Sequence, residues 1–182
     1  DHDRVASSTN TIYYAGAQGE ECIQRIECCN GGTYWFKGPQ GQESVTKVHS
    51  GWGMVTSYVG SRHNERIVKR EFPEGFTTSD GVRHYTQWLE GEPGEERIVR
   101  SSSSRTNGNT SHIVTNFFDG PAGEERKVWS LHSDRTMEYF VGRRNEECMV
   151  VEIRADGSAR HFQGERGEER VVEHVPGSTA PP

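Results

Sequence analysis

Seven glutamates recur along this 182-residue chain, Glu21, Glu43, Glu65, Glu96, Glu125, Glu147 and Glu169, each five residues after a glycine. Paired carboxylates can run general acid–base chemistry, and clustered ones can hold divalent cations. Acid–base catalysis, however, needs two groups in different environments, whereas seven equivalent positions supply one environment seven times. The predicted role is therefore structural: each carboxylate accepts backbone N–H groups at a turn or pairs with an arginine of the adjoining segment. The next position favours such a ladder, with Arg66, Arg97, Arg126 and Arg170 interrupted by Cys22, Ser44 and Cys148. Arginine in that column would cancel the repulsion of stacked like charges. Where it is missing, Glu20 with Glu21 and Glu146 with Glu147 are the places to look for a divalent cation.

Other reactive residues form no recognisable constellation. The sequence has no G-x-S-x-G, H-E-x-x-H, phosphate-binding loop or Cys/His pairing, so an enzyme is not expected. Only His63, Glu65 and His84 make a conceivable site, on assumed proximity alone. No zinc signature is present, and neither a metal nor a cofactor is called for. Cys22, Cys28, Cys29 and Cys148 offer no unstrained internal disulfide, which weakly favours a reducing, intracellular setting. Twenty-one basic residues against 27 acidic ones, a net charge of -6 and no basic block argue against nucleic acid as the main partner. No apolar run is long enough to cross a bilayer and no signal peptide is evident. Beginning at Asp1, the chain reads as a fragment or a processed product.

The elements that must carry these columns follow from the glycines. Gly16, Gly38, Gly60, Gly91, Gly120, Gly142 and Gly164 are spaced by 22, 22, 31, 29, 22 and 22 residues. Each follows an aromatic or leucine by two positions and precedes a G-x-x-G or G-x-x-N turn, the glutamate and a β-forming run, as in YAGAQGEECI and FQGERGEERVV. Second turn signals, such as Asn30-Gly31-Gly32 and Asp156-Gly157, close most units, so two strands per repeat are predicted. With only two leucines, Leu89 and Leu131, helical bundles and leucine-rich repeats are excluded. The valine column Val68, Val99, Val128, Val150 and Val172, replaced by Gln24 and Thr46 at the start, reads as ordinary strand interior.

Two aromatic columns flank the turns. Tyr14, Phe36, Tyr58, Leu89, Phe118, Phe140 and Phe162 make one stripe, read as the core. Their neighbours Tyr13, Trp35, Trp88, Phe117 and Tyr139 point to the opposite face, because side chains alternate along a strand. One thin sheet cannot bury both faces, so these five are candidate partner-binding residues. Two insertions, near 71–81 and 101–112, should emerge on one edge and contribute Phe76 and Asn107 as further candidates. The second also holds the sequon at Asn109, and its serine run reads as a solvated loop. Residues 1–8 are expected to be an extension, 9–175 the seven-unit array, and 176–182 a disordered tail.

The pattern F/Y-x-G-x-x-G-E-E-R-x-V over roughly residues 9 to 175 resembles the MORN repeat family in period, composition and hairpin logic. It departs from that family's usual Y-x-G-x-x-x-x-G-x-G spacing. The resemblance implies an all-β fold, one elongated antiparallel sheet of stacked hairpins, with a single-coil β-solenoid as the alternative. It also implies a non-enzymatic scaffold or structural subunit that binds proteins in a larger assembly. Open sheet edges add the expectation of end-to-end self-association into a filament. The competing expectation is a ligand-binding module, with a glycan on the aromatic rows or a divalent cation on the glutamate column. Acidic lipid headgroups are disfavoured by the net charge.

Overall fold

The computed structural model describes residues 9–72, 84–107 and 110–177. Seven hairpins follow one another: β1 (Thr11–Ala15) with β2 (Cys22–Glu27), β3 (Thr33–Lys37) with β4 (Ser44–His49), β5 (Val55–Val59) with β6 (Arg66–Phe72), and β7 (His84–Glu90) with β8 (Arg97–Asn107). Then come β9 (Thr110–Asp119) with β10 (Arg126–His132), β11 (Met137–Val141) with β12 (Cys148–Ile153), and β13 (Ala159–Gln163) with β14 (Arg170–Val175). All 14 strands form one antiparallel sheet in sequence order, an elongated meander that does not close. The order excludes the solenoid alternative, whose successive coils would pair equivalent strands in parallel. At about 4.8 Å per strand the sheet is roughly 65 Å across.

Each repeat builds its hairpin with the same turn. In the fourth, Glu95 N–H donates to the Glu92 carbonyl at 3.0 Å, with Pro93 and Gly94 (φ 84°) at the two central positions. Pro then Gly at those places is the signature of a type II turn, which requires positive φ at its third residue. His63 and Asn145 take that position in two other repeats, at φ 65° and 63°. Only the asparagine variant is anticipated by the G-x-x-N pattern; histidine also reaches the left-handed region more readily than most residues. The leading glycine is under a tighter constraint. At Gly91 (φ 129°) a Cβ would lie 2.5 Å from the Glu95 carbonyl oxygen, so no side chain fits there.

Every hairpin also carries a β-bulge one step from its turn. Trp88 pairs with Arg100 and Leu89 with Ile98, so Val99 has no cross-strand partner. The other six hairpins shift at Gln24, Thr46, Val68, Val128, Val150 and Val172. The valine column is thus the bulge position and not ordinary strand interior. A bulge adds a residue to one strand and strengthens the local twist, which bends the turn end of each hairpin away from its neighbour. Hence most hairpins meet the next through only three ladder pairs, as at Arg25–Trp35, Ile26–Tyr34 and Glu27–Thr33.

The second insertion differs from the loop its composition predicts. Ser101 to Asn107 continue β8 and Thr110 to His112 open β9, paired through Asn107–Thr110. Serine hydroxyls pair readily across strands, and Ser101, in the middle of the sheet, is only 2% exposed. Phe76, Asn109 and most of the first insertion lie outside the described residues.

There is no second layer over either face among the described residues. Leu89 is the one buried hydrophobic side chain among the described residues, 6% exposed, while Tyr14 in the same column is 58% exposed. Phe36, Tyr58, Phe118, Phe140 and Phe162 are half-buried. The stripe is therefore a one-sided, partly covered row and not a closed core.

Replacing Gly91 with Ala should cost about 2 kcal/mol or more through the carbonyl collision and the positive φ. Gly41→Asn, at φ 76° with open space around its Cβ, should cost less than about 1 kcal/mol. Urea denaturation of both variants distinguishes these values; equal losses would contradict the turn assignment.

Candidate functional site

The glutamates occupy the gaps that the bulges open. Glu43 Oε1 accepts the Ile23 N–H at 3.1 Å, Glu65 that of Val45 at 3.2 Å, Glu96 that of Ile67 at 3.0 Å, Glu125 that of Ile98 at 3.0 Å and Glu147 that of Lys127 at 3.1 Å. Each donor lies in the preceding hairpin, beside its bulge, where the ladder to the next strand has ended. The second carboxylate oxygen serves its own turn: Glu96 Oε2 accepts the Gly94 N–H at 3.1 Å, and Glu169 and Glu21 accept those of Gly167 and Gly19 at 2.8 Å. One side chain thus shapes a turn and fastens it to the previous repeat.

The arginine column does not form the predicted Glu–Arg ladder, because those carboxylates are already taken by amides. Arg97 Nη1 donates instead to the Gly120 carbonyl at 3.1 Å and Arg126 Nη1 to the Gly142 carbonyl at 3.3 Å, each reaching the leading glycine of the following hairpin. Arg62 and Arg166, within the turns, donate to the Gly41 and Asn145 carbonyls of the preceding turn. Neighbouring repeats are therefore tied in both directions along this edge.

Electrostatics follows from that bonding. The Glu96 carboxyl is held below the usual range chiefly by the Ile67 N–H, and Glu43 by its own backbone amide and that of Ile23. At Glu125 and Glu147 burial pushes the pKa up, but amide donors, Ile98 and Lys127 among them, outweigh it and the net shift is down. Glu169 is lowered as well, first by its own amide. Glu96 has both oxygens engaged by backbone amides, and no group of three His, Cys, Asp or Glu side chains poised for a metal occurs among the described residues. His63 sits in a turn on the glycine edge, whereas His84 begins β7 at the opposite edge, a strand's length of about 20 Å away. The structure therefore does not bring His63, Glu65 and His84 together.

The five aromatic candidates do come together. Following the register from strand to strand, Tyr13 opposes Arg25, which opposes Trp35, then Lys47, Ser57, Lys69, Trp88, Arg100, Phe117, Trp129, Tyr139, Val151, His161 and Glu173. This single row crosses the whole sheet on one face. Rings and cations interlock along it: Arg25 lies 4.1 Å above the Tyr13 ring, Arg100 3.7 Å above Trp88, and Phe117 stacks on Trp129 at 3.7 Å with 3° between planes. Arg25 and Lys69 also pair with Glu27 at 3.2 Å and Glu71 at 2.7 Å, whereas Lys47 and Arg100 have no ion pair among the described residues. Beside Trp35, His49 packs at 4.5 Å between centroids, and burial followed by the Lys47 charge keeps its pKa low.

Sequence reasoning found the rings and missed the cations. Their signal is positional: Arg25, Lys47, Lys69 and Arg100 lie nine residues after the leading glycine in the first four repeats, and Trp129 takes that place in the fifth. Only the register shows that this column falls between the rings. Asn107 pairs with Thr110 where the extended β8–β9 pair ends, away from the row. On the opposite face, His132, Glu138, Glu152, Arg154, Asp156 and Arg160 line a shallow open groove, with Glu152 bonded to both arginines. The four cysteines are unpaired. No helix among the described residues is long and apolar enough to cross a membrane. No protein-family model matches the chain, and no curated protein matches it.

Because these carboxylates titrate below free glutamate, their contribution to stability is complete above the unfolded value of about 4.3 and is lost as pH falls through their lowered folded values. Urea midpoints should be flat from this source between about pH 7 and 5 and fall toward pH 3. Glu125→Ala, which strands the Ile98 N–H, should cost about 1–3 kcal/mol at pH 7 and soften that acid limb. An unchanged midpoint at pH 3, or a neutral Glu125→Ala, would contradict the bridging role.

Proposed function

We propose that this protein is a non-enzymatic scaffold, a divergent MORN-like repeat array that binds protein partners in a larger assembly. The observation that carries this reading is the uncovered ring-and-cation row of a single-layer sheet. Tyr13 and Tyr139 are exposed, Trp35, Trp88 and Phe117 half-buried, and the row has preorganised guanidinium and ammonium groups between them. Aromatic rings and arginine are the side chains that dominate binding energy at protein interfaces. Their alternation suits a partner surface bearing carboxylates beside apolar groups, reached by Lys47 and Arg100, the two cations of the row's first half that have no ion pair among the described residues. Seven similar turns with engaged carboxylates offer no acid–base pair. The resemblance in period and hairpin logic points the same way, although fold by itself does not fix function.

A glycan-binding reading is kept as the alternative, favoured by the exposed aromatic positions along one line. Titration of tryptophan fluorescence with an oligosaccharide panel separates the two, since a saturable change would move the row to sugar binding.

The interaction reading is checked by affinity capture with the wild-type chain and a Trp35→Ser/Trp88→Ser/Arg100→Glu variant whose circular dichroism matches it. Proteins retained by the wild type should fall at least about tenfold on the variant, the loss of one hot-spot residue's worth of binding or more. Equal capture by both proteins would remove the row from partner binding.

A further inference from the structure

The ring-and-cation row has a period, and a period selects the shape of what can lie along it. We propose that the row binds an acidic, proline-rich segment in the polyproline II conformation, with a carboxylate at every third residue. This rests on the reading of the row as a partner-binding surface and names the partner's chemistry.

Three observations carry it. First, the cations recur on every second strand: Arg25 on β2, Lys47 on β4, Lys69 on β6 and Arg100 on β8. Neighbouring strands lie about 4.8 Å apart, so like side chains recur about every 9.6 Å along the row. A polyproline II helix returns every third residue to the same side at about 9.3 Å. Seven residues of an α-helix advance about 10.5 Å, so between Arg25 and Arg100 a helix falls out of step by about 2.7 Å, against about 0.9 Å for polyproline II. An extended strand returns to one side about every 6.8 Å and misses the period altogether. Second, every strand from β2 to β8 has a bonded neighbour on both sides, so the backbone along this stretch is engaged within the sheet and strand addition is unavailable. A partner crossing it is held by side chains alone. Polyproline II suits that restriction, since its backbone is solvated, lacks internal hydrogen bonds and is largely preformed, and its prolines pack against aromatic rings. Rings stand at Trp35, Trp88 and Phe117, each next to a cation in the row.

Third, charge is left over at matching places. Lys47 and Arg100 have no ion pair among the described residues, and they lie four strands apart, about 19 Å, against about 18.6 Å for two turns of polyproline II. Arg100 sits 3.7 Å above the Trp88 ring, a stack that occupies the plane of its guanidinium and leaves the N–H fork for a carboxylate. Lys69, midway between them, is held by Glu71 in a partly exposed pair, the kind that competes weakly with a new partner. Carboxylates at i, i+3 and i+6 therefore meet Lys47, Lys69 and Arg100, and prolines between the last two lie over Trp88. Ser57 takes the ring position between Lys47 and Lys69, so that interval makes no demand for proline.

Titration with the synthetic peptide (Pro-Pro-Glu)5, read by the chain's own tryptophan fluorescence at low ionic strength, tests this. A saturable change should appear at or below about 1 mM peptide and weaken as salt is raised. A peptide of the same composition with its glutamates in one block should bind at least about tenfold more weakly, and (Pro-Pro-Lys)5 should not bind. Lys47→Glu/Arg100→Glu should lose at least about tenfold in affinity for (Pro-Pro-Glu)5. Arg143→Glu/Arg154→Glu, an equal change of charge away from the row, should bind like the wild type. Should the first variant lose its β-sheet spectrum, Lys47→Ala/Arg100→Ala takes its place. No saturable binding by the wild type, equal binding of the block peptide, or equal losses in the two charge-reversal variants would each overturn the proposal, as would a response to the oligosaccharide panel with none to the peptide. If the peptide fails while affinity capture still depends on Trp35, Trp88 and Arg100, polyproline II recognition falls and the row stands as a surface for a partner of another shape. If that dependence fails as well, both readings fall.

Discussion

The structure depends on the bridge from each glutamate after the first to the preceding hairpin. A bulge near every turn removes one residue from the ladder and splays the turn end away, so backbone donors beside it face a gap. Unpaired amides of that kind are costly wherever water is partly excluded. A carboxylate on a short, well-anchored stem fills the gap and meets its own turn glycine with the other oxygen. Without it, adjacent hairpins would share only three ladder pairs at most junctions. The recurrence of glutamate from Glu43 to Glu169 thus coincides with the joint between repeats.

This economy explains how a sheet with one buried hydrophobic side chain among the described residues can hold its form. Stability is distributed along the array in local pieces: the turn, the bulge, the carboxylate bridge and the arginine that reaches the next glycine carbonyl. Each joint is much like the last, the arrangement that makes repeat proteins nearly one-dimensional. The cost is that both faces stay open. Cation–ring contacts on one face and the aromatic–aliphatic stripe on the other shield part of that surface, and what remains exposed is available for contact with another molecule.

Much of this was legible in the residues. Gly91 and Gly164 announced turns by type, and the alternation of Tyr13 with Tyr14 or Phe117 with Phe118 announced two faces. What the sequence could not show was pairing. Val99 and Val172 are as β-forming as any strand residue, and only the register reveals that they are bulged out. The roles of Arg97 and Arg126 were misplaced for a related reason: charge complementarity with glutamate is visible in sequence, whereas competition from nearby backbone amides depends on where the strands part. Serine content made Ser101–Ser104 look like a loop, but pairing with Ile113–Asn116 sets them in a ladder. The cations at Arg25, Lys47, Lys69 and Arg100 form a column whose meaning lies in the cross-strand neighbours.

Amide hydrogen exchange measured residue by residue on the dilute monomer tests the bridge most directly. The account predicts that the N–H groups of Ile23, Val45, Ile67, Ile98, Lys127 and Met149 are protected although they lie where the ladder has ended, and that Val171, whose N–H meets no glutamate among the described residues, exchanges freely. Protection should fall at acid pH beyond the intrinsic rate change as the carboxylates take up protons. If those six amides exchange as fast as Val171, the glutamates do not join the repeats and the account of the fold fails.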